Sequence, residues 1–212
     1  MNPPKCDDLD YIHFLIDDHF QAMLKEAKER DFEPSFVLFD TWYASLGNLK
    51  RVRDYGWHWL TRLKSNRLVN PDGEGNIPLS QAKIPPEGRV VHLKGYGFIK
   101  VFRTVSENGD GQYWATDDLQ MDEASREDLE SQGWRIEVYH RGIKQCCGIE
   151  RAQVRKAVAQ KNHFLYALRA FLRLEIHKLR TGNSWYEAKV SIIREAIRAY
   201  LGNPTYSLTP TA

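Results

Sequence analysis

SFVLFDTWYASLGNLKRVRDYGWHWLTRL, residues 35–63, decides the fold class within one stretch. Ser35 to Phe39 is a short apolar run, which reads as a buried strand. Ser45 then stands where a helix cap belongs, Leu46, Leu49 and Val52 follow at helical spacing, and Gly56 supplies the stop. Trp57 to Leu63 reads as a second strand. A strand–helix–strand unit of this kind builds an α/β sheet. Asp40 sits at the end of the first strand, where an ionised carboxylate is costly unless it meets a partner or a metal. Sites in α/β sheets gather at the carboxyl ends of strands. A simpler role, capping the turn into the next helix, fits Asp40 as well.

Working outward, residues 1–17 read as an irregular segment, and Asp18 reads as the cap of a helix. Phe20, Met23, Leu24 and Ala27 would share one face of that helix, which ends near Arg30. Residues 18–69 thus form one part of an α/β core. Residues 70–88 are dense in Pro and Gly and read as loop. Arg89–Leu93 and Phe98–Val105 flank Gly95-Tyr96-Gly97 as a hairpin, and Gln112–Thr116 adds a strand. Residues 70–121 are therefore expected to be a β insertion carried by the larger fold. Tyr96, at the hairpin tip, could pack on its own sheet or stack on a base. From Glu123 the pattern turns helical, with segments to Gly133, from Trp134 to Cys147, from Gln153 to Leu179 and from Trp185 to Leu201. Residues 122–204 make up this helical remainder, and 205–212 read as a loose tail.

The 212 residues contain no apolar run near the roughly 18–20 needed to cross a bilayer, and no leader pattern, so a cytoplasmic protein without a membrane partner is expected. Cys6 stands alone and Cys146 and Cys147 are adjacent, so no zinc-type CxxC pair exists. His163 and His177 have no ligand partner at i+4 and read as helix-face residues. Net charge is +2, but residues 41–70 carry +5, residues 134–200 carry +9, and the intervening 104–133 carry −8. Separated basic segments of this size suit a polyanion partner.

WRIEVYHRGIKQ, residues 134–145, places Glu137 in the first turn of an amphipathic helix, with Arg141 and Lys144 on the same face. Taken with the Asp40 stretch, this pattern resembles insertion-sequence transposases of the acid-triad type. In that family an Asp-x-x-Tyr stretch ends a central strand. The final acid lies in a Tyr-x2-Arg-x3-Glu-x6-Lys signature, and a β insertion separates the two. The resemblance runs from about Asp18 to the C-terminus. It implies a ribonuclease-H-like mixed sheet flanked by helices, with Asp40 and Glu137 as catalytic acids and metal ligands. It also implies Mg2+ (or Mn2+) as cofactor and transposon-end DNA as partner. Lys144 would contact a phosphate near the reacting end, with Arg141 beside it, and Arg62, Lys64 and Arg67 could track the DNA backbone.

Three departures qualify what the resemblance implies. Glu130 and Gly133 occupy the signature's Tyr and Arg positions. The family's first acid lies on an upstream three-strand meander, which needs roughly 20 residues or more. Only 17 precede the Asp18 helix, and Asp7, Asp8, Asp10 and Asp17 lie in no apolar run. The expectation is an incomplete core lacking the acid that bridges both ions in two-metal phosphoryl chemistry. The isolated chain is then expected to be inactive. It would act as a transposase remnant, either awaiting separately encoded residues or serving as a non-catalytic DNA-binding or subunit-mixing protein. A homodimer, or a mixed dimer with a full-length transposase, is the matching oligomer. Without the meander, the strand ending at Asp40 would also become an exposed apolar edge.

Overall fold

A computed structural model describes residues 9–105 and 111–204, with side chains from residue 17 onward. Cys6, Asp7, Asp8 and the 205–212 tail lie outside the described residues, as does the Asp10 side chain. The chain divides into two compact units, residues 1–133 and 134–212.

The first unit is a seven-stranded mixed sheet with helices on both faces, the α/β, ribonuclease-H-like architecture expected from residues 35–63. In chain order it contains α1 (Leu9–Glu29), β1 (Phe36–Phe39), α2 (Leu46–Asp54) and β2 (His58–Leu63). β3 (Leu68–Asn70), β4 (Ile77–Pro78), β5 (Arg89–Leu93), β6 (Gly97–Val105), β7 (Gly111–Thr116) and α3 (Glu123–Gly133) follow. The strand order is β1-β2-β7-β6-β5-β3-β4. β1 and β2 run parallel, Phe36 opposite His58 and Phe39 opposite Thr61, while every other pairing is antiparallel. β1 therefore stands at an edge of the sheet.

Two expectations change. α1 begins at Leu9 rather than at Asp18, so Asp18 is an interior helix residue rather than a cap, and Asp17 lies inside the helix with it. The sequence carries a reason: Ile12, Ile16, Phe20 and Leu24 recur every four residues and extend the helical pattern back through the two acids. The β insertion, for its part, is a continuation of the sheet. β7 pairs along β2, with Leu60 opposite Thr116 and Leu63 opposite Tyr113. The loop-like stretch after Asn70 also contributes β4, because Ile77 and Pro78 pair with Val69 and Leu68.

The alternation of β2 explains the layers. Trp59 and Leu63 pack into a core with Phe20 and Leu24 of α1 and with Leu49 and Val52 of α2. Leu60 faces the other way, into a smaller core with Phe102, Met121 and Leu129 of α3. Full burial of such side chains contributes about 1.5–3 kcal/mol each. Ser45 caps α2 by accepting from the Asn48 amide, and Gly56, at φ 78°, gives the left-handed turn that lets the chain reverse into β2.

The second unit is helical: α4 (Arg135–Cys147), α5 (Ala157–Thr181) and α6 (Trp185–Gly202). Its core is Ile143, Ala167 and Phe171, with Tyr139 and Trp185 against them. Gly142 is required by close approach: a Cβ there would lie 2.6 Å from Trp185 and 2.8 Å from Phe171. A Ser184–Glu187 capping box starts α6.

Tyr96 packs on its own sheet. Its hydroxyl accepts from Trp59 Nε1 at 2.8 Å and donates to Asp117 Oδ2 at 3.4 Å, and the Arg53 guanidinium lies 4.8 Å from its ring centre. Burial, with the Asp117 charge adding to it, pushes the Tyr96 hydroxyl up to about 12. An unfolded tyrosine ionises near 10. This group's contribution to stability is therefore complete below pH 10 and is lost as pH rises from 10 towards 12. Tyr96→Phe should lower stability at neutral pH and flatten the alkaline decline across that window, as read by denaturant titration at several pH values. An unchanged alkaline slope would contradict the network.

Candidate nucleic-acid interface

The carboxyl ends of the parallel pair β1 and β2 bring together most of the residues singled out in the first unit. Asp40 follows β1 directly and caps a 3-10 turn, Thr41–Tyr43, with Oδ1 accepting from the Thr41 amide at 2.6 Å. Its carboxylate is about half exposed and lies 3.8 Å from Arg62 Nη2. Arg62 in turn places its guanidinium 5.4 Å from the Trp114 ring centre, directly across the β2–β7 ladder. Lys64 follows β2 and holds its ammonium 5.5 Å from the exposed Trp42 ring. The arrangement is a cationic rim on two indoles, with one carboxylate at its edge.

Behind this rim lies an open cavity of about 350 Å³, lined by Asp17, Thr41, Trp42, Lys64, Asn66 and Arg67 among others. Arg67 is half-buried. Burial pushes its guanidinium below the usual value, and Nη2 has no hydrogen-bond partner among the described residues. The wall is fixed by Asn48, fully buried on α2. Its Nδ2 donates to Asp17 Oδ1 at 2.7 Å and to the Tyr43 carbonyl at 3.0 Å, and its Oδ1 accepts from Gln21 at 3.1 Å. Asn48 thus ties α1 to the turn that carries Trp42. Sequence reasoning missed Asn48, Trp42 and Asp17. The usable signal was an asparagine inside a helix, where it is a poor former and needs a hydrogen-bonding reason.

A larger cavity of about 540 Å³ lies elsewhere in the unit, between β1 and α3. Asp118, Asp122 and Asp128 line it, so it would repel a polyanion.

In the second unit, Glu137, Arg141 and Lys144 are all exposed on α4. Lys144 is engaged: its ammonium lies 2.7 Å from Glu150 Oε1. That hydrogen bond, together with the Glu150 charge and a smaller effect of Glu137, raises Lys144 above its ordinary value. Gly148, left-handed at φ 62°, turns the chain so that Glu150 comes back to α4. His163 contacts the Gly148 carbonyl at 3.1 Å, and Cys146 and Cys147 are free thiols near the end of α4.

Glu130 and Gly133, where the expected signature has Tyr and Arg, have local roles in the first unit. Arg126 of α3 is almost fully buried and forms ion pairs with Glu130 and, at 3.1 Å, with Glu127. Glu130 thus neutralises a buried guanidinium. Gly133 ends α3 against β1, where a Cβ would meet Leu38 at 3.0 Å. A side chain there requires Leu38 to give way.

The family model of the transposase DDE domain matches residues 17–172. The chain belongs to this transposase family. No curated protein matches it significantly. The family generally uses divalent metal ions. Among the described residues, however, no group of three or more His, Cys, Asp or Glu is gathered as a ligand set. Asp40 already gives one oxygen to the Thr41 amide and has Arg62 as its charged neighbour. Within the first unit, Asp40 by itself offers too few free carboxylate oxygens to hold two divalent ions.

Glu150→Gln should release Lys144 and tighten binding to duplex DNA, measured by fluorescence anisotropy at fixed low salt, with Lys144→Ala weakening it. Equal affinities in both variants would show that Lys144 takes no part in binding.

Proposed function

We propose that this chain is a transposase-derived DNA-binding protein that holds transposon-end DNA but does not cut or join it unaided. The observation that carries this reading is the set of cations at the carboxyl ends of β1 and β2: Lys64 and Arg67 line one cavity with Trp42, and Arg62 lies beside Asp40 on Trp114. Cations set on indoles, the exposed Trp42 and the partly buried Trp114, can hold phosphates while keeping their stems ordered. Lys144 and Arg141 add a second basic face in the helical unit, once Lys144 exchanges Glu150 for a phosphate.

The proposed inactivity of the isolated chain is supported by the count of acids that the transposase likeness assigns. Two-metal phosphoryl transfer uses a bridging carboxylate besides those that hold single ions. Asp40 and Glu137 are the two acids that the transposase likeness assigns, and no third carboxylate joins Asp40 in a ligand cluster among the described residues. Mg2+ or Mn2+, if held at all, would then sit weakly on too few oxygens.

The test is a salt titration of duplex binding with the full chain. Affinity should fall linearly on a logarithmic plot, with a slope near −0.9 per phosphate neutralised. Arg62→Ala combined with Lys64→Ala should make that slope shallower by about 2. Incubation with supercoiled DNA and Mg2+ or Mn2+ should leave it intact. Metal-dependent nicking that disappears in Asp40→Ala would overturn the non-catalytic reading.

A further inference from the structure

β1 has the pattern of an interior strand but stands at an edge. Its four residues, Phe36–Phe39, are all apolar. Val37 and Phe39 pack toward the core that α1 and α2 cover, and Phe36 and Leu38 toward the smaller core under α3. A strand lined on both faces in this way ordinarily has a neighbour on both sides. All four residues are nevertheless only half-buried, and β2 alone pairs with β1 among the described strands. The backbone shows which groups are left over. The His58 amide donates to the Ser35 carbonyl at 3.1 Å, and the Phe39 carbonyl accepts from Thr61 Oγ1. Ser35, Val37 and Phe39 thus turn their backbone polar groups toward β2, and by alternation Phe36 and Leu38 turn theirs to the open side. Uncovered donors and acceptors of this kind, with no charge or proline among them, are a template for another strand.

The surroundings of the edge select the strand. Phe36 is the one strand residue among those lining the 540 Å³ cavity, and the rest belong to α3 and the turn before it. Met121 and Leu129 give this cavity an apolar wall, and Asp118, Asp122 and Asp128 give it carboxylates. None of the three acids forms an ion pair among the described residues. A strand added to β1 carries the residue opposite Phe36 on the same face, about 5 Å away, and so over this cavity. A lysine or arginine at that place lays its stem on the apolar wall and its charge among the carboxylates.

We infer that the open edge of β1 is a docking site for an extended segment of another polypeptide, with basic residues on the side facing α3 and apolar residues on the other. Charge decides against a second copy of this chain. Pairing β1 with β1 brings two copies of segment 104–133 side by side, each carrying −8, and like charges in juxtaposition oppose association. The surface is also distinct from the cationic rim: Phe36 starts β1, whereas Asp40 follows its end, so the cavity and the rim lie at opposite ends of the strand.

The test uses the full chain without DNA, so its outcome does not depend on whether DNA binding is observed. A fluorescein-labelled Lys-Val-Lys-Val-Lys-Val-Lys peptide should bind saturably below ~100 μM by fluorescence anisotropy. The same peptide with glutamate in place of lysine should bind at least tenfold more weakly. Asp128 is exposed on α3, so Asp128→Lys should keep the circular dichroism of the parent chain. It should weaken the lysine peptide at least tenfold and strengthen the glutamate one. Lysine peptides N-methylated at alternate residues, made in both phases, should differ. One phase should lose binding and the other keep it, because an added strand presents only every second amide to β1. Binding should also protect the Phe36 and Leu38 amides from hydrogen exchange. A lysine peptide that does not bind would overturn the inference, as would an affinity unchanged by Asp128→Lys or equal in the two N-methylated phases. So would a self-associated chain in which those two amides are protected before any peptide is added.

Discussion

β2 is the strand on which the first unit depends. Among the described strands, it alone has a parallel neighbour on one side, β1, and an antiparallel neighbour on the other, β7. The parallel pairing requires a crossover, which α2 supplies, and it brings the carboxyl ends of β1 and β2 side by side. The residues proposed to hold DNA in this unit owe their grouping to that placement. Asp40 leaves one strand and Lys64 the other, and the turns that follow each strand wall the cavity between them. The Thr61 hydroxyl, fully buried, donates to the Phe39 carbonyl at 2.7 Å and locks the two strands just below the rim.

The strand–helix–strand unit is readable in the sequence because each boundary has a local cause. The apolar runs of β1 and β2 are bracketed by Ser35, the Ser45 cap and Gly56, and the observed ends fall within a residue or two of those signals. The start of α1 is not readable in the same way, since Asp18 looks like a cap when taken alone. Asp17 is held inside the helix by a partner, Asn48, that is distant in the chain, while Asp18 is exposed. The continuity of the sheet through β7 is equally hidden. Nothing in Gln112–Thr116 states which strand it will join, because antiparallel partners are chosen by tertiary packing rather than by local pattern.

The site divides similarly. Residue types at strand ends, such as Asp40, Arg62 and Lys64, are visible to pattern reasoning because position along a strand implies a place in the sheet. The indoles they rest on are not, since Trp42 and Trp114 come from different elements and meet their cations only in the folded chain. Lys144 shows the converse. Its place in the signature is plain from spacing, but its occupation by Glu150 depends on the left-handed turn at Gly148. The signature's missing Tyr and Arg also have a physical sense. Position 130 is used to neutralise buried Arg126, and position 133 lies too close to Leu38 for a side chain to enter freely.

Backbone hydrogen exchange, followed with and without duplex DNA at low salt, tests most directly whether DNA lies on the carboxyl ends of β1 and β2. The amides of residues 41–45 and 64–67 should gain protection on DNA addition, while those around Asp118, Asp122 and Asp128 should not. Saturating DNA that leaves the first two segments unprotected would contradict the placement, whatever affinity the chain retained.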